Sequence, residues 1–65
     1  MKAKINDTVE LIEPLPEENL AAGSVGVVVF EFDEPEEAYE IEFSNDRGET
    51  TSQVTLRPNQ FIVLG

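Results

Sequence analysis

Seven carboxylates fall between positions 31 and 42 of this 65-residue chain: Glu31, Asp33, Glu34, Glu36, Glu37, Glu40 and Glu42. Side chains of this type, clustered in this way, serve three purposes. They keep a strand edge solvated and free of unwanted pairing, they steer and orient a cationic partner, or they hold a hard cation. Calcium takes about six to eight oxygens from a loop that turns sharply around it, typically at a glycine. Asp33-Glu34-Pro35-Glu36-Glu37 has the carboxylates but no glycine and no alternating aspartates. The cation reading is the weakest of the three.

Catalytic chemistry fares no better. A serine nucleophile needs a base beside its hydroxyl. Ser24, Ser44 and Ser52 have no histidine or cysteine to work with, and the lysines, Lys2 and Lys4, both sit at the N-terminus. Paired carboxylates acting as acid and base need a cleft for the substrate, and so short a chain offers no obvious one. The residues read as non-enzymatic, without catalytic residue, cofactor or metal. The acidic run is left as the partner-binding candidate.

The charge balance narrows the partner. Fourteen acidic residues stand against four basic ones, for a net charge of −10. Nucleic-acid binding is driven largely by Lys and Arg displacing counterions. Lys2, Lys4, Arg47 and Arg57 are too few and too scattered for that. Nucleic acid and anionic membrane are disfavoured, and a basic protein surface is favoured. The absence of cysteine fits a cytoplasmic protein. No apolar segment follows the two N-terminal lysines as a signal peptide would require. The longest apolar run, Val27–Phe30, is far too short to span a bilayer.

The elements that must position these residues are strands. No long stretch keeps an apolar stripe at helical spacing, whereas short alternating runs recur between Gly, Pro and Asn-Asp punctuation. The first strand is expected from Ile5 to Ile12, with Val9 and Leu11 facing in. Pro14 and Pro16 then impose a long loop, with Leu20 tucked under the barrel as its plug. Gly23 and Gly26 suit a positive-φ turn or a close backbone approach. Val27–Asp33 is the second strand, Ala38–Ser44 the third and Glu49–Leu56 the fourth. Asn45-Asp-Arg-Gly48 is the turn between the last two. Arg57-Pro-Asn-Gln60 reads as a 3₁₀ turn and Phe61–Leu64 as the closing strand. One domain spanning residues 1–65 follows, an all-β, five-stranded SH3-like barrel with a long first loop.

Register then places the side chains. With Phe32 opposite Tyr39, Glu31 faces Glu40 and Phe30 faces Ile41, and each pair of opposed like charges costs a few tenths of about 1 kcal/mol. Phe30, Phe32, Tyr39 and Phe43 share the inward register, so they are expected as core rather than as a groove for proline-rich peptides. Val25, Val27 and Val29 lie on the opposite register. They are expected to be core of the second half of the barrel. The alternative is an apolar patch with Ile62 or Leu64, through which the chain dimerises or docks. Thr51, Gln53 and Thr55 mark an uncharged strand face.

The segments Asp7-Thr-Val9, Leu20-Ala-Ala-Gly-Ser-Val-Gly-Val-Val-Val29, Ala38-Tyr-Glu-Ile-Glu-Phe43, Gly48-Glu-Thr50 and Val54-Thr-Leu56 before Gln60 occur in that order. Together they resemble domain-of-unknown-function family 4926, a set of short bacterial proteins, over nearly the whole chain. Asn59-Gln-Phe-Ile62 departs from a more usual Gln-Leu ending. The resemblance implies an SH3-like barrel, no catalytic residues, and gene neighbours of toxin–antitoxin or immunity type.

The resulting expectation is a non-enzymatic protein-interaction module, the acidic partner or neutraliser of a basic neighbour, existing as a monomer or weak homodimer. One alternative is an accessory subunit of a larger complex, on fold analogy. Another is a KOW-like nucleic-acid module, suggested by Gly23-Ser-Val-Gly-Val-Val28 and opposed by the charge.

Overall fold

The computed structural model describes residues 2–65. Alternation of apolar and polar side chains produces the five expected strands, the first shorter than the expected Ile5–Ile12 and the second beginning two residues before the expected Val27. β1 spans Thr8–Leu11, β2 Val25–Phe32, β3 Ala38–Ser44, β4 Thr50–Leu56 and β5 Phe61–Val63. Short 3₁₀ turns occupy Pro16–Glu18 and Pro58–Gln60. Each starts at a proline, whose fixed φ suits a first helical position and whose missing N–H is not needed there.

All five strands lie in one antiparallel sheet, in the order β4-β3-β2-β1-β5. β4 and β5 are its two edges and share no ladder. The sheet is therefore open, and the SH3-like barrel expected from the sequence is not formed. The physical reason lies in the last connection. Arg57 N–H donates to Gln60 Oε1 at 2.8 Å, and Ile12 N–H donates to the Gln60 carbonyl at 3.0 Å. This turn delivers the chain to β1, and the three residues of β5 pair there and nowhere else.

The core lies on one face of the sheet. Ala3, Val9, Leu11, Val28, Tyr39, Ile41, Phe43, Leu56 and Phe61 are buried, with Leu15, Leu20, Val54 and Val63 packed against them. Burying a large apolar side chain contributes about 1.5–3 kcal/mol, and no disulfide supplements it. With no barrel to plug, Leu20 packs half-buried against the core face of the open sheet, and Leu15 and Leu20 exchange backbone hydrogen bonds at 2.8 and 3.1 Å around the 3₁₀ turn. Gly26 is buried against β3, and no side chain fits there. At the β3–β4 turn, Asn45 Oδ1 accepts from Arg47 and Glu49 N–H, and Gly48 adopts φ +80°.

β2 departs from the expected register. Val28 pairs with Ile41, but Phe30 pairs with Glu40, so Val29 is an extra residue with no partner on β3. Such a bulge bends the strand and re-aims the residues beyond it. Phe30 and Phe32 are turned out to the solvent face, not into the core. Val25 and Val27 are exposed as well, so they do not form the core of a second half-barrel. Phe61, outside the inward aromatic register, is buried and meets Tyr39 edge-to-face at 5.6 Å.

Candidate interaction surface

The seven carboxylates do not form one patch. Glu31 pairs with Tyr39 and so lies on the core-facing side near the end of the sheet. Asp33 is exposed and meets Lys2 Nζ at 2.7 Å, which raises the lysine pKa. Glu34 precedes Pro35 in the exposed loop. Glu36 pairs with Arg57 at 2.5 Å. Glu37 accepts the Tyr39 hydroxyl. Burial, and then this acidic partner, push the Tyr39 pKa up to about 12. Glu40 and Glu42 stand on the opposite, outward face of β3. The bulge thus separates Glu31 from Glu40, and the like-charge pair expected between them does not exist.

Glu40 is held in place. It accepts hydrogen bonds from Thr55 Oγ1 at 2.5 Å and Gln53 Nε2 at 3.0 Å, both on the neighbouring β4. These two donors favour the ionised carboxylate and lower its pKa, the Thr55 bond more than the Gln53 bond. Among the described residues, no three acidic, histidine or cysteine side chains come together as a metal site would require. No helix among them is long and apolar enough to cross a membrane.

Directly opposed residues in antiparallel strands share a face, so the pairings draw the outward face residue by residue. One row runs Gln53, Glu42, Val27, Thr8. A second runs Thr55, Glu40, Phe30. A third joins Val25, Glu10 and Ile62. Phe30 is 52% exposed and packs edge-to-face on Phe32 at 4.9 Å. The result is an apolar strip along β2, extended by Ile62 and bordered by Glu10, Glu40 and Glu42. Of the two readings of Val25, Val27 and Val29, the alternative of an apolar patch with Ile62 fits Val25 and Val27, while Val29 is the half-buried bulge residue; the two phenylalanines that complete the strip were missed. The signal for them is weak but real: Val27-Val28-Val29 is apolar at consecutive positions, so alternation cannot say which face follows.

The order of these segments along the chain is also that of a known family. Residues 5–63 match the family model described as Domain of unknown function (DUF4926). The chain belongs to this family. The match takes in every strand and both acidic and apolar parts of the outward face. No curated protein and no solved structure matches the chain significantly.

Proposed function

We propose that this member of the DUF4926 family is a non-enzymatic protein-interaction module whose outward sheet face docks a basic protein. The observation that carries the reading is the outward placement of Phe30, Phe32, Val25 and Val27 beside the carboxylates Glu10, Glu40 and Glu42. Contiguous exposed apolar surface with a polar border is characteristic of interaction sites. Buried aromatic anchors supply most of the affinity at such sites, and bordering charge supplies orientation and rate.

Charge complementarity selects the occupant. A second copy would bring another net charge of −10 and the same three carboxylates against this face. A partner with an apolar centre and a Lys/Arg border matches it. Of the remaining carboxylates of the acidic run, Asp33 and Glu36 are balanced by Lys2 and Arg57, and Glu31, Glu34 and Glu37 add to the attracting field from one end of the sheet.

The test is a tagged pull-down from native lysate at low and high salt, run in parallel with Phe30→Ser and Glu42→Lys. A basic protein held at low salt, released at high salt and lost by both variants supports the reading. Capture that neither variant changes overturns it, and so does the absence of any captured protein.

A further inference from the structure

β4 is a long strand with an open side. Its seven residues, Thr50–Leu56, pair with β3 alone. Among the described residues, no backbone group of 50–56 is hydrogen-bonded to anything outside the sheet. Roughly half of its N–H and C=O groups therefore point away from β3 unpaired, as at any antiparallel edge. Natural edges are ordinarily guarded by charge, proline, shortness or a bulge. The opposite edge, β5, is guarded by its three-residue length. Thr-Thr-Ser-Gln-Val-Thr-Leu has no charge and no proline, in a chain that is 28% charged; its one irregularity is at Thr51, which has no partner on β3, and the stretch Ser52–Leu56 beyond it pairs in unbroken register.

A groove of about 380 Å³ adjoins this strand. Gln53, Val54, Thr55 and Leu56 line it from β4, and Leu15, Glu17 and Glu18 line it from the first loop. Among the described residues, the ion pairs are Lys2–Asp33 and Arg57–Glu36, and neither involves Glu17 or Glu18.

We propose that β4 takes an extended, lysine- or arginine-bearing segment of the partner as a sixth strand. Strand addition to an open edge draws affinity from main-chain hydrogen bonds and specificity from alternate side chains. Leu15 and Val54 offer apolar contact, and Glu17 and Glu18 select for positive charge. Self-pairing of β4 would instead oppose two copies of the same acidic loop. The inference shares with the proposed function only the premise of a basic partner, because the edge and the outward face are different surfaces.

The probe is a peptide as long as β4, seven residues, alternating lysine and valine, titrated into isotope-labelled protein. The expected result is a set of amide shifts centred on 50–56, with slowed hydrogen exchange of the β4 amides that face away from β3. An analogue of equal charge, N-methylated along one edge, is expected to bind about tenfold more weakly, the loss of one or two hydrogen bonds. Phe30→Ser should leave this binding intact, which separates failure of the edge from failure of the face. Equal binding by the methylated analogue overturns the proposal, as do shifts centred on Val27 and Phe30. Protection of β4 that rises with protein concentration alone also overturns it, by naming a second copy as the occupant.

Discussion

A β-carbon placed on Gly26 would stand 2.7 Å from Ile41 Cγ2 and 2.9 Å from the Glu42 carbonyl oxygen. The second contact is with backbone, so the sheet itself would have to move. Overpacking of this kind costs about 1–3 kcal/mol, a large share of what a core this small supplies. Gly26→Ala is therefore expected to lower the urea midpoint sharply with little change in slope. Gly48 is the contrasting case. Nothing lies within 4 Å of its missing β-carbon, but its φ is +80°. Gly48→Ala should be destabilising through backbone strain alone, and Gly48→Asn less so, since asparagine tolerates the left-handed region.

The Glu40–Thr55 hydrogen bond gives a pH dependence of known sign. The carboxylate pKa is lowered in the folded state, so its contribution is present above the unfolded carboxylate range and is lost as pH falls through the folded value. The site is partly open to water, which screens it and limits the contribution to at most about 1 kcal/mol. Thr55→Val should cost that amount at pH 7. The gap between wild type and variant should close on acidification below the ordinary carboxylate range. A gap that stays constant with pH would mean the threonine acts by packing rather than through Glu40.

Tyr39 carries the opposite sign at the alkaline end. Its phenol is buried beside Glu37, and its pKa is raised to about 12. The neutral form is the one the fold accommodates. Stability from this group is complete below about pH 10, the ordinary phenol value, and is lost as pH rises toward the folded one. An ultraviolet titration should show tyrosinate appearing well above pH 10 and together with unfolding, while Tyr39→Phe should abolish that alkaline transition. Titration near pH 10 in a folded protein would contradict the burial of the ring.

How much of this could be read beforehand depends on which contacts decide each feature. β1 and β3 are legible because Val9 and Leu11, and Tyr39, Ile41 and Phe43, alternate with polar residues and leave one choice of face. The Asn45–Gly48 turn is legible for the same local reason, an asparagine that caps its own backbone and a glycine at positive φ. Barrel closure is decided by whether β4 meets β5, a contact between segments that the local pattern of neither one specifies. The bulge at Val29 is likewise set by the partner strand. Three consecutive valines fit either face, so only the pairing with β3, Val28 with Ile41 and then Phe30 with Glu40, shows which register wins. The acidic run was legible as charge but not as geometry, because the bulge turns Glu31 to the core-facing side while Glu40 stays on the outward face with Glu42.

That register has a direct energetic test. In the bulged sheet, Phe43 is 2% exposed and Phe30 is 52% exposed. Truncating a buried phenylalanine to alanine costs about 3–5 kcal/mol, enough to unfold a domain of this size. Phe30 packs edge-to-face on Phe32, a contact worth roughly 0.5–1.5 kcal/mol, and half of its surface stays in water. Phe43→Ala should therefore abolish cooperative unfolding, whereas Phe30→Ser should stay folded with a modestly lower midpoint and higher solubility. In the unbulged pairing of Phe30 with Ile41, both rings are core and both substitutions are equally damaging. Comparable loss from the two would thus remove the apolar strip from the outward face, and with it the basis for docking there.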